Sequence, residues 1–413
     1  LLVSLLASCV PPRLEIQPPD TPPVSPIAPG YDLSGHMPEL LLALPGSSPA
    51  CPTSVALTDS LADLLGGDYA TAAEQLADAL NSMEPGAERR VTADLLGETL
   101  FLLGDWDRFL RFAPSYSAGL YDDRVLAQTL MGQAPFRVDI PPESVTLPLI
   151  ASPIGTPALT VRVNGRSSRF WLDTGAGLTV LTESTAGRCG IVSAGSKTTA
   201  DTTTRHKVVV RGAIIQELRA GDVVFHNLPA IILSDRDLRL PGPLGHPISL
   251  DGLIGWNALR HVAVDLDLAA GCCRIGPSRP VADSRRNLFW LGYPCVCAAM
   301  ADGRPLVFGL DTGAATTSLR QPILEKMGPR SLPRRRAKIA GAGGIESREV
   351  QYVPRLSVRL GGQAVGWRDL AVWPVSGYAL TPLDGVLGAD VLAAARMELD
   401  PAAGRLILHP RRQ

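Results

Sequence analysis

The chain has 413 residues, of which 46% are hydrophobic and 19% charged, a composition typical of a globular protein with more than one domain. Its 40 acidic and 39 basic residues nearly cancel, which leaves no electrostatic case for nucleic acid or an anionic membrane surface as a partner. After the first nine residues, no stretch approaches the ~18 consecutive apolar residues that a membrane-spanning helix needs.

The N-terminal residues are apolar and end in small side chains. Residues 1–9 read Leu-Leu-Val-Ser-Leu-Leu-Ala-Ser-Cys, and this pattern predicts a signal peptide remnant over residues 1–8. The last four residues resemble the lipobox of bacterial lipoproteins, which implies a lipid anchor on Cys9 and a periplasm-facing position in the bacterial cell envelope. The alternative is an apolar terminus with an incidental cysteine.

Two segments of different composition follow. Residues 9–52 contain a dense run of prolines, which predicts an extended linker, anchored at its start, without helix or central strand. Residues 53–136 carry apolar residues at helical spacing. Within them Leu65–Tyr69 recurs as Leu103–Trp106 about 37 residues later, close to the tetratricopeptide period of roughly 34. The interpretation is a small, tetratricopeptide-like α-helical domain that either recruits a protein partner or only packs on the rest of the chain.

Nearly the same thirteen-residue passage occurs twice, and each copy carries an aspartate. Phe170–Thr182 contains Asp173-Thr-Gly-Ala, and Phe308–Arg320 contains Asp311-Thr-Gly-Ala. Other landmarks recur in the same order, namely the hairpin dipeptides Asn164-Gly165 and Asp302-Gly303, each predicting a type I′ turn, and then Asp251–Gly255 and Asp384–Gly388.

A repeat of roughly 130 residues is far longer than a solenoid period. Residues 137–280 and 281–413 are therefore predicted to be two β-rich copies, each the size of a domain. Asp251 and Asp384 also recur, but they precede turn glycines, and they are interpreted as structural.

These motifs resemble those of the aspartic protease superfamily, which includes pepsins and retropepsins. In that family Asp-Thr-Gly follows a buried strand, and a later hydrophobic-hydrophobic-Gly segment packs around the aspartate loop. Ile254-Gly255 and Leu387-Gly388 fit this second segment. The resemblance implies a multidomain chain in which the small α-helical domain precedes an all-β bilobal acid-protease fold of two retropepsin-like lobes. Because one chain supplies both lobes, it also implies a monomer.

The resemblance assigns a role to each triplet. It makes Asp173 and Asp311 the catalytic pair, and it implies neither a metal nor a cofactor. It also implies that the threonines hydrogen-bond across the interface between the lobes; the supporting residues of the two loops are Thr174, Gly175, Thr312 and Gly313. Two carboxylates a few Å apart cannot both ionise, so they share one proton. The ionised member activates a water molecule, and the protonated member polarises the scissile carbonyl.

A glycine-rich segment of the second copy resembles the flap tip of retropepsins, a hairpin that closes over an extended peptide. Its residues are Gly341, Ala342, Gly343 and Gly344. A phosphate-binding loop is the rival interpretation, but no helix signal follows and no G-x-G-x-x-G is completed. The corresponding part of the first copy, about residues 193–211, lacks the tyrosine that pepsins carry at their flap tip.

The predicted function is hydrolysis of peptide bonds in a peptide or protein substrate. The alternative is a non-catalytic peptide-binding lipoprotein whose helical module recruits a partner. Ala176 and Ala314 directly follow the two triplets, where many pepsins have a hydroxyl that lowers the pKa of the carboxyl group. Without that donor, we expect an activity optimum between weak acid and neutrality.

The cysteines give no metal motif. Cys272-Cys273 and Cys295-x-Cys297 lie in strand-like segments, without the turns that gather four thiolates around zinc. Disulfides, which an exported protein allows, and simple buried thiols both stay open, because spacing cannot assign connectivity. The catalytic motifs H-E-x-x-H and G-x-S-x-G are absent from the sequence.

Overall fold

The computed structural model describes residues 2–3, 7–8, 13–17, 55–112, 121–202, 207–240, 242, 246–279, 286–342, 344–374 and 383–411. Cys9, Gly343 and most of the predicted linker lie outside these ranges. Within them the chain folds into an N-terminal helical region and a larger, mostly β part. None of the helices in these ranges is long and apolar enough to cross a bilayer.

The N-terminal region is helical where the sequence predicted helices. Its helices are α1 Val55–Gly66, α2 Tyr69–Ser82, α3 Ala87–Leu103, α4 Trp106–Phe112 and α5 Tyr121–Leu130. The side chain of Asp68 caps α2 by accepting a hydrogen bond of 3.1 Å from the backbone N–H of Thr71. Gly104, with a φ of +74°, ends α3 in the left-handed conformation that glycine adopts most easily. Helix α5 was not among the predicted helices.

The first β unit comprises residues 137–279. Strands in chain order up to its end are β1 Leu2–Val3, β2 Ala7–Ser8, β3 Arg13–Gln17, β4 Arg137–Asp139, β5 Val145–Pro148, β6 Ile150–Ala151, β7 Pro157–Val163, β8 Arg166–Leu172, β9 Thr179–Thr182, β10 Ala194–Thr202, β11 Val208–Ala220, β12 Val223–Leu233, β13 Arg239–Leu240, β14 Ile248–Ser249, β15 Gly252–Ile254, β16 Ala263–Asp267 and β17 Cys272–Gly276. Short helices α6 Glu183–Arg188 and α7 Trp256–Leu259 follow β9 and β15. The main sheet has the order β1-β10-β11-β12-β9-β15-β8-β7-β6.

The second β unit comprises residues 286–411. Its strands are β18 Leu288–Trp290, β19 Pro294–Met300, β20 Pro305–Leu310, β21 Ser318–Arg320, β22 Arg334–Gly341, β23 Gly344–Leu360, β24 Gln363–Trp373, β25 Gly385–Leu387, β26 Ala395–Asp400 and β27 Arg405–Pro410. Helices α8 Pro322–Met327 and α9 Val391–Ala394 follow β21 and β25. The main sheet has the order β18-β19-β20-β25-β21-β24-β23-β22-β2.

The two main sheets share one arrangement around the aspartate loops. In the first unit β15 lies between β8, to which it is parallel, and β9, to which it is antiparallel. In the second unit β25 lies in the same way between β20 and β21. The strand that ends at each aspartate is therefore flanked by the hydrophobic-hydrophobic-Gly segment, as the resemblance to aspartic proteases implied.

A separate five-stranded sheet contains strands from both units, in the order β27-β26-β16-β17-β5. Its junction is the antiparallel pair of β16 and β26, in which Val264 lies opposite Leu399. Backbone hydrogen bonds along this junction tie the two units together, in addition to side-chain packing.

The first of the two predicted hairpin turns has the expected type, and the second does not. Asn164 and Gly165 both have positive φ angles, +46° and +80°, as a type I′ turn requires. In the second hairpin only Gly303 has a positive φ, and its N–H donates to the carbonyl of Met300. This loop has three residues, because Met300 pairs with Arg304. The geometry is that of a turn closed by a glycine bulge.

Three short strands, β1 to β3, lie in the described parts of the first 52 residues, where the sequence predicted a signal peptide remnant and an extended linker. Within the segment predicted as a linker, β3 pairs antiparallel with β24, with Ile16 opposite Val365. Strand β4 pairs with β12 at the matching place in the first unit, with Val138 opposite Phe225. In the segment predicted as a signal peptide remnant, β1 pairs with β10 and β2 with β22. Prolines on both sides of β3 keep it short, which suits a strand at a sheet edge.

The helical region shares its hydrophobic core with the second β unit. Buried side chains of α1 to α4 form one cluster with Phe289, Leu291 and Tyr293. On the other side, Arg260 of the first unit donates a 3.0 Å hydrogen bond to the carbonyl of Leu102 in α3. The helices are therefore packed against both β units.

Candidate active site

The two aspartates occupy equivalent positions at the ends of strands β8 and β20. Asp173 donates its backbone N–H to Ile254 O, and Asp311 donates to Leu387 O, both at 3.0 Å. Both aspartates are fully buried. Apolar strand residues and the backbone hydrogen bonds thus hold each carboxyl group at a fixed point on a rigid element.

The threonines that follow the aspartates bind each other's loops. Thr174 N–H donates to Thr312 Oγ1 at 3.1 Å, and Thr312 N–H donates to Thr174 Oγ1 at 3.0 Å. Each hydroxyl in turn donates to the opposite strand, to Leu310 O at 2.8 Å and to Leu172 O at 2.6 Å. These four bonds join the loops reciprocally, as the sequence analysis expected of Thr174 and Thr312.

Gly175 and Gly313 lie directly against the opposite aspartate. A Cβ atom at Gly175 would be 2.6 Å from Cγ of Asp311. At Gly313 it would collide with the carboxyl group of Asp173. Neither glycine has a positive φ, so closeness to the opposite acid is what requires glycine at these positions.

Backbone N–H groups within each loop hold the carboxylates. Asp173 Oδ1 accepts hydrogen bonds from Gly175 N at 2.9 Å and Ala176 N at 3.1 Å. Asp311 Oδ1 accepts one from Ala314 N at 2.9 Å. Burial raises the pKa of Asp173 well above its usual range, and the charge of Asp311 and a hydrogen bond with its side chain act in the same direction. This shift favours the protonated form of Asp173.

The hydrophobic-hydrophobic-Gly segments close around the loops. Trp256 N–H donates to Ala176 O and Ala389 N–H to Ala314 O, both at 2.7 Å. A Cβ atom at Gly255 or Gly388 would lie 2.5 Å from backbone carbon of the neighbouring loop. Any side chain at these glycines would therefore push the aspartate loop out of place.

Residues 159–258 match the family model described as aspartyl protease. The match lies within the first unit and includes Asp173, whereas the second repeat lies outside it. Among solved structures, a retropepsin-like aspartic protease from Rickettsia conorii is similar at 15% identity and a TM-score of 0.25, over 35% of this chain and 97% of that one. No curated protein matches the chain. At the level of the family, the sequence match supports an aspartic protease.

The two recurring aspartates outside the loops, Asp251 and Asp384, have structural partners. Asp251 accepts from the backbone N–H of Arg169 and from the Arg188 side chain, both at 2.8 Å. Asp384 accepts from the backbone N–H of Val307 at 2.8 Å and from Lys326 Nζ at 2.9 Å. Each acid joins the strand before the aspartate loop to the helix after it, which agrees with the structural interpretation.

The predicted flap segment forms the end of a hairpin. Strands β22 and β23 pair antiparallel as far as Gly341 opposite Gly344. Ala342 at the turn is fully buried, in a cluster whose other members include Trp171, Ala176 and Leu178 of the first unit. The hairpin of the second unit therefore reaches the first unit beside the Asp173 loop. The matching hairpin of the first unit is formed by β10 and β11, and its residues 203–206 lie outside the described ranges.

Sequence reasoning missed Tyr293, whose hydroxyl lies close to the Asp311 carboxyl group beside Gly175. A Cβ atom at Gly175 would be 2.7 Å from the Tyr293 hydroxyl and 2.7 Å from Asp311 Oδ1. Tyr293 precedes β19, and the strand register makes Thr156 its counterpart in the first unit, since Gly309 pairs with Cys295 as Trp171 pairs with Ala158. A comparison of repeats highlights identical residues, so it passes over a position where the copies differ.

The cysteines in the described part of the chain are free thiols. They are Cys189, Cys272, Cys273, Cys295 and Cys297. Burial raises the pKa of Cys297 to about 12, so this thiol stays protonated at neutral pH. Among the described residues, no group of three or more His, Cys, Asp and Glu side chains is arranged to hold a metal ion.

Proposed function

We propose that the chain is a bilobal aspartic endopeptidase in which Asp173 and Asp311 act together in a cleft between the two β units. The observation that carries the proposal is the reciprocal bonding of Thr174 and Thr312, which holds two buried aspartates against each other's loops. The family match over residues 159–258 supports the same reaction class.

In this reaction one proton is shared by the aspartate pair. The ionised carboxylate takes a proton from a bound water, which attacks the peptide carbonyl while the protonated carboxyl polarises its oxygen. Burial and the neighbouring carboxyl keep the shared proton in place by raising the pKa of Asp173. In this proposal the hairpin whose turn residue Ala342 packs beside the Asp173 loop would close over the bound peptide.

The decisive test replaces each aspartate by the isosteric amide. Asp173→Asn and Asp311→Asn should each lower the cleavage rate of a mixed peptide library by roughly 1,000-fold or more. The reason is that an amide and a carboxyl group cannot share a proton as two carboxyl groups do. Asp222→Asn, at an exposed acid, is the matched control and should retain full activity. Full activity in a folded Asp311→Asn protein would refute the proposal.

A non-catalytic peptide-binding role makes a different prediction for the same assay. Such a protein would bind pepstatin or library peptides without cleaving them at any pH.

Three further proposals rest on the sequence: a lipid anchor at Cys9 facing the periplasm, a partner-recruiting role for the helices, and action as a monomer. Unchanged specific activity on dilution would support the last of these.

A further inference from the structure

The strand that leads to the aspartate carries a tryptophan in the first unit and a glycine in the second, where the ring of Tyr293 lies beside the glycine. Trp171 precedes Asp173 by two residues, and the same position before Asp311 is Gly309. A Cβ atom at Gly309 would be 2.8 Å from Cε1 of Tyr293. The ring of Tyr293 therefore lies across Gly309, in space that a larger side chain would fill.

A second glycine admits the hydroxyl of the same tyrosine. One point beside Gly175 is 2.7 Å from Tyr293 Oη and 2.7 Å from Asp311 Oδ1. Groups that border a common point so closely can be joined directly or through one water molecule. Two glycines on different units, Gly175 and Gly309, thus leave room for one phenol at the aspartate pair.

The remaining surroundings of Tyr293 hold it in place. The residue is 5% exposed, and its ring packs with Leu291 and Leu383 in the core shared with the helices. Its carbonyl accepts hydrogen bonds from Leu291 N and from the Cys295 thiol, at 3.1 and 3.3 Å. Among the described residues, two titratable groups lie beside it: Asp311, whose Oδ1 borders the same point next to Gly175, and Cys295 in β19, whose thiol has its pKa raised well above the usual value by burial.

We propose that the Tyr293 hydroxyl is a positioning group of the active site, which donates a hydrogen bond to ionised Asp311 directly or through one water. A donor to the charged form lowers the pKa of a carboxyl group. Tyr293 would thus supply, for one aspartate only, the hydroxyl that Ala176 and Ala314 do not provide. The inference rests on the proposed endopeptidase function.

The test is the pH–rate profile of kcat/KM for Tyr293→Phe, which removes the hydroxyl and keeps the ring. We expect the acidic limb to rise by about one pH unit and kcat to fall about 10-fold. Tyr69→Phe is the matched control, because Tyr69 packs in the same core at 5.9 Å from the Trp290 ring. Its profile should match that of the wild type.

Two further measurements separate the possible failures. Incorporation of 3-fluorotyrosine at position 293 keeps the hydroxyl and makes it a stronger donor, so the acidic limb should move the opposite way; it also serves if Tyr293→Phe does not fold. A Tyr293→Phe profile that superimposes on the wild type, while Asp311→Asn is inactive, would overturn this inference alone. Full activity of Asp311→Asn would overturn the proposed function itself.

Discussion

At the aspartate loops, the identity of a residue is set by what lies opposite it. Gly175 and Gly313 have ordinary φ angles, and alanine would suit their backbones. What excludes alanine is the facing carboxyl group, which lies where the Cβ atom would be. The glycine of each triplet is therefore required by the aspartate of the other unit.

Alanine at either glycine should therefore separate the two acids. We expect Gly175→Ala and Gly313→Ala to lower kcat/KM by roughly 100-fold or more, because a displacement near 1 Å misplaces the reacting groups. Gly187→Ala is the control, since a Cβ atom there meets nothing within 4 Å. Activity near the wild-type value in Gly175→Ala would mean that Asp311 lies farther from residue 175 than the 2.6 Å between its Cγ and the added Cβ.

The alanines after the triplets bear on the pH optimum. Ala176 and Ala314 are fully buried and donate only backbone N–H groups to the carboxylates. A hydroxyl at either position would favour the ionised form and lower the pair's apparent pKa values. We expect a wild-type optimum between weak acid and neutrality, and an acidward shift of about one pH unit in Ala176→Ser/Ala314→Ser. An optimum near pH ~2–3 would contradict this reasoning.

The residues of the loops could be identified from the sequence, because duplication shows each one twice. Asp173 and Asp311 recur with their threonines and glycines, so comparison within the chain is enough to find them. Tyr293 could not be found in this way, since its role depends on a tryptophan-to-glycine difference on a neighbouring strand. Space vacated by one residue and filled by another becomes visible only in three dimensions.

Among the elements, each unit has an acid that joins the aspartate strand to a helix, and the two copies differ in burial. Asp384 is 1% exposed beside Lys326, whereas Asp251 is 31% exposed beside Arg188. A buried carboxylate that loses its cation keeps its desolvation penalty, whereas an exposed one is solvated by water. The second unit should therefore depend more strongly on its cation.

Substitution of the two cations tests this difference within one protein. Lys326→Met should lower the free energy of unfolding by roughly 1–3 kcal/mol. Arg188→Met, the matched substitution in the first unit, should cost less than about 1 kcal/mol. Denaturant unfolding of both variants measures the two values, and an equal cost would show that burial of the acid is not what matters.

Helices and strands could be predicted where the residue pattern that specifies them lies within the segment itself. Alternating and β-branched residues marked the strands, and periodic apolar residues marked α1 to α4. Strand β3 was not predicted, because its partner β24 lies about 350 residues further along the chain and the surrounding prolines favour a linker. The second hairpin turn differed because the side chains of Asp302 and Gly303 do not specify the loop length.

For the whole molecule, two partly buried carboxyl groups, those of Glu98 and Asp390, contribute to the dependence of stability on pH. The pKa of Glu98 is raised to about 7 by burial and by the charges of Asp123 and Asp94. Burial raises that of Asp390 to about 6, against the hydrogen bonds from Thr317 and Trp367. A folded-state pKa above the unfolded value stabilises the protein at low pH, and this contribution is lost as the pH rises through the folded pKa.

The fold should accordingly be less stable at pH 8 than at pH 5, the reverse of a typical acid-labile protein. We expect the midpoint of thermal unfolding to fall by roughly 5 °C across this range. Glu98→Gln should flatten the slope, whereas Glu74→Gln, at a carboxylate 67% exposed, should leave it unchanged. A midpoint that rises from about pH 5 to about pH 8 would contradict the sign of the effect.

The two aspartates have different neighbours, because the first unit has Trp171 where the second has Gly309 and the ring of Tyr293. A symmetric pair of identical subunits must carry every substitution twice, so its site looks the same from both ends. A duplicated chain is free of this constraint, and here one aspartate has a tryptophan beside it and the other a phenol. Since a peptide runs from an amino end to a carboxyl end, a site with two unlike sides can tell one orientation of its substrate from the other.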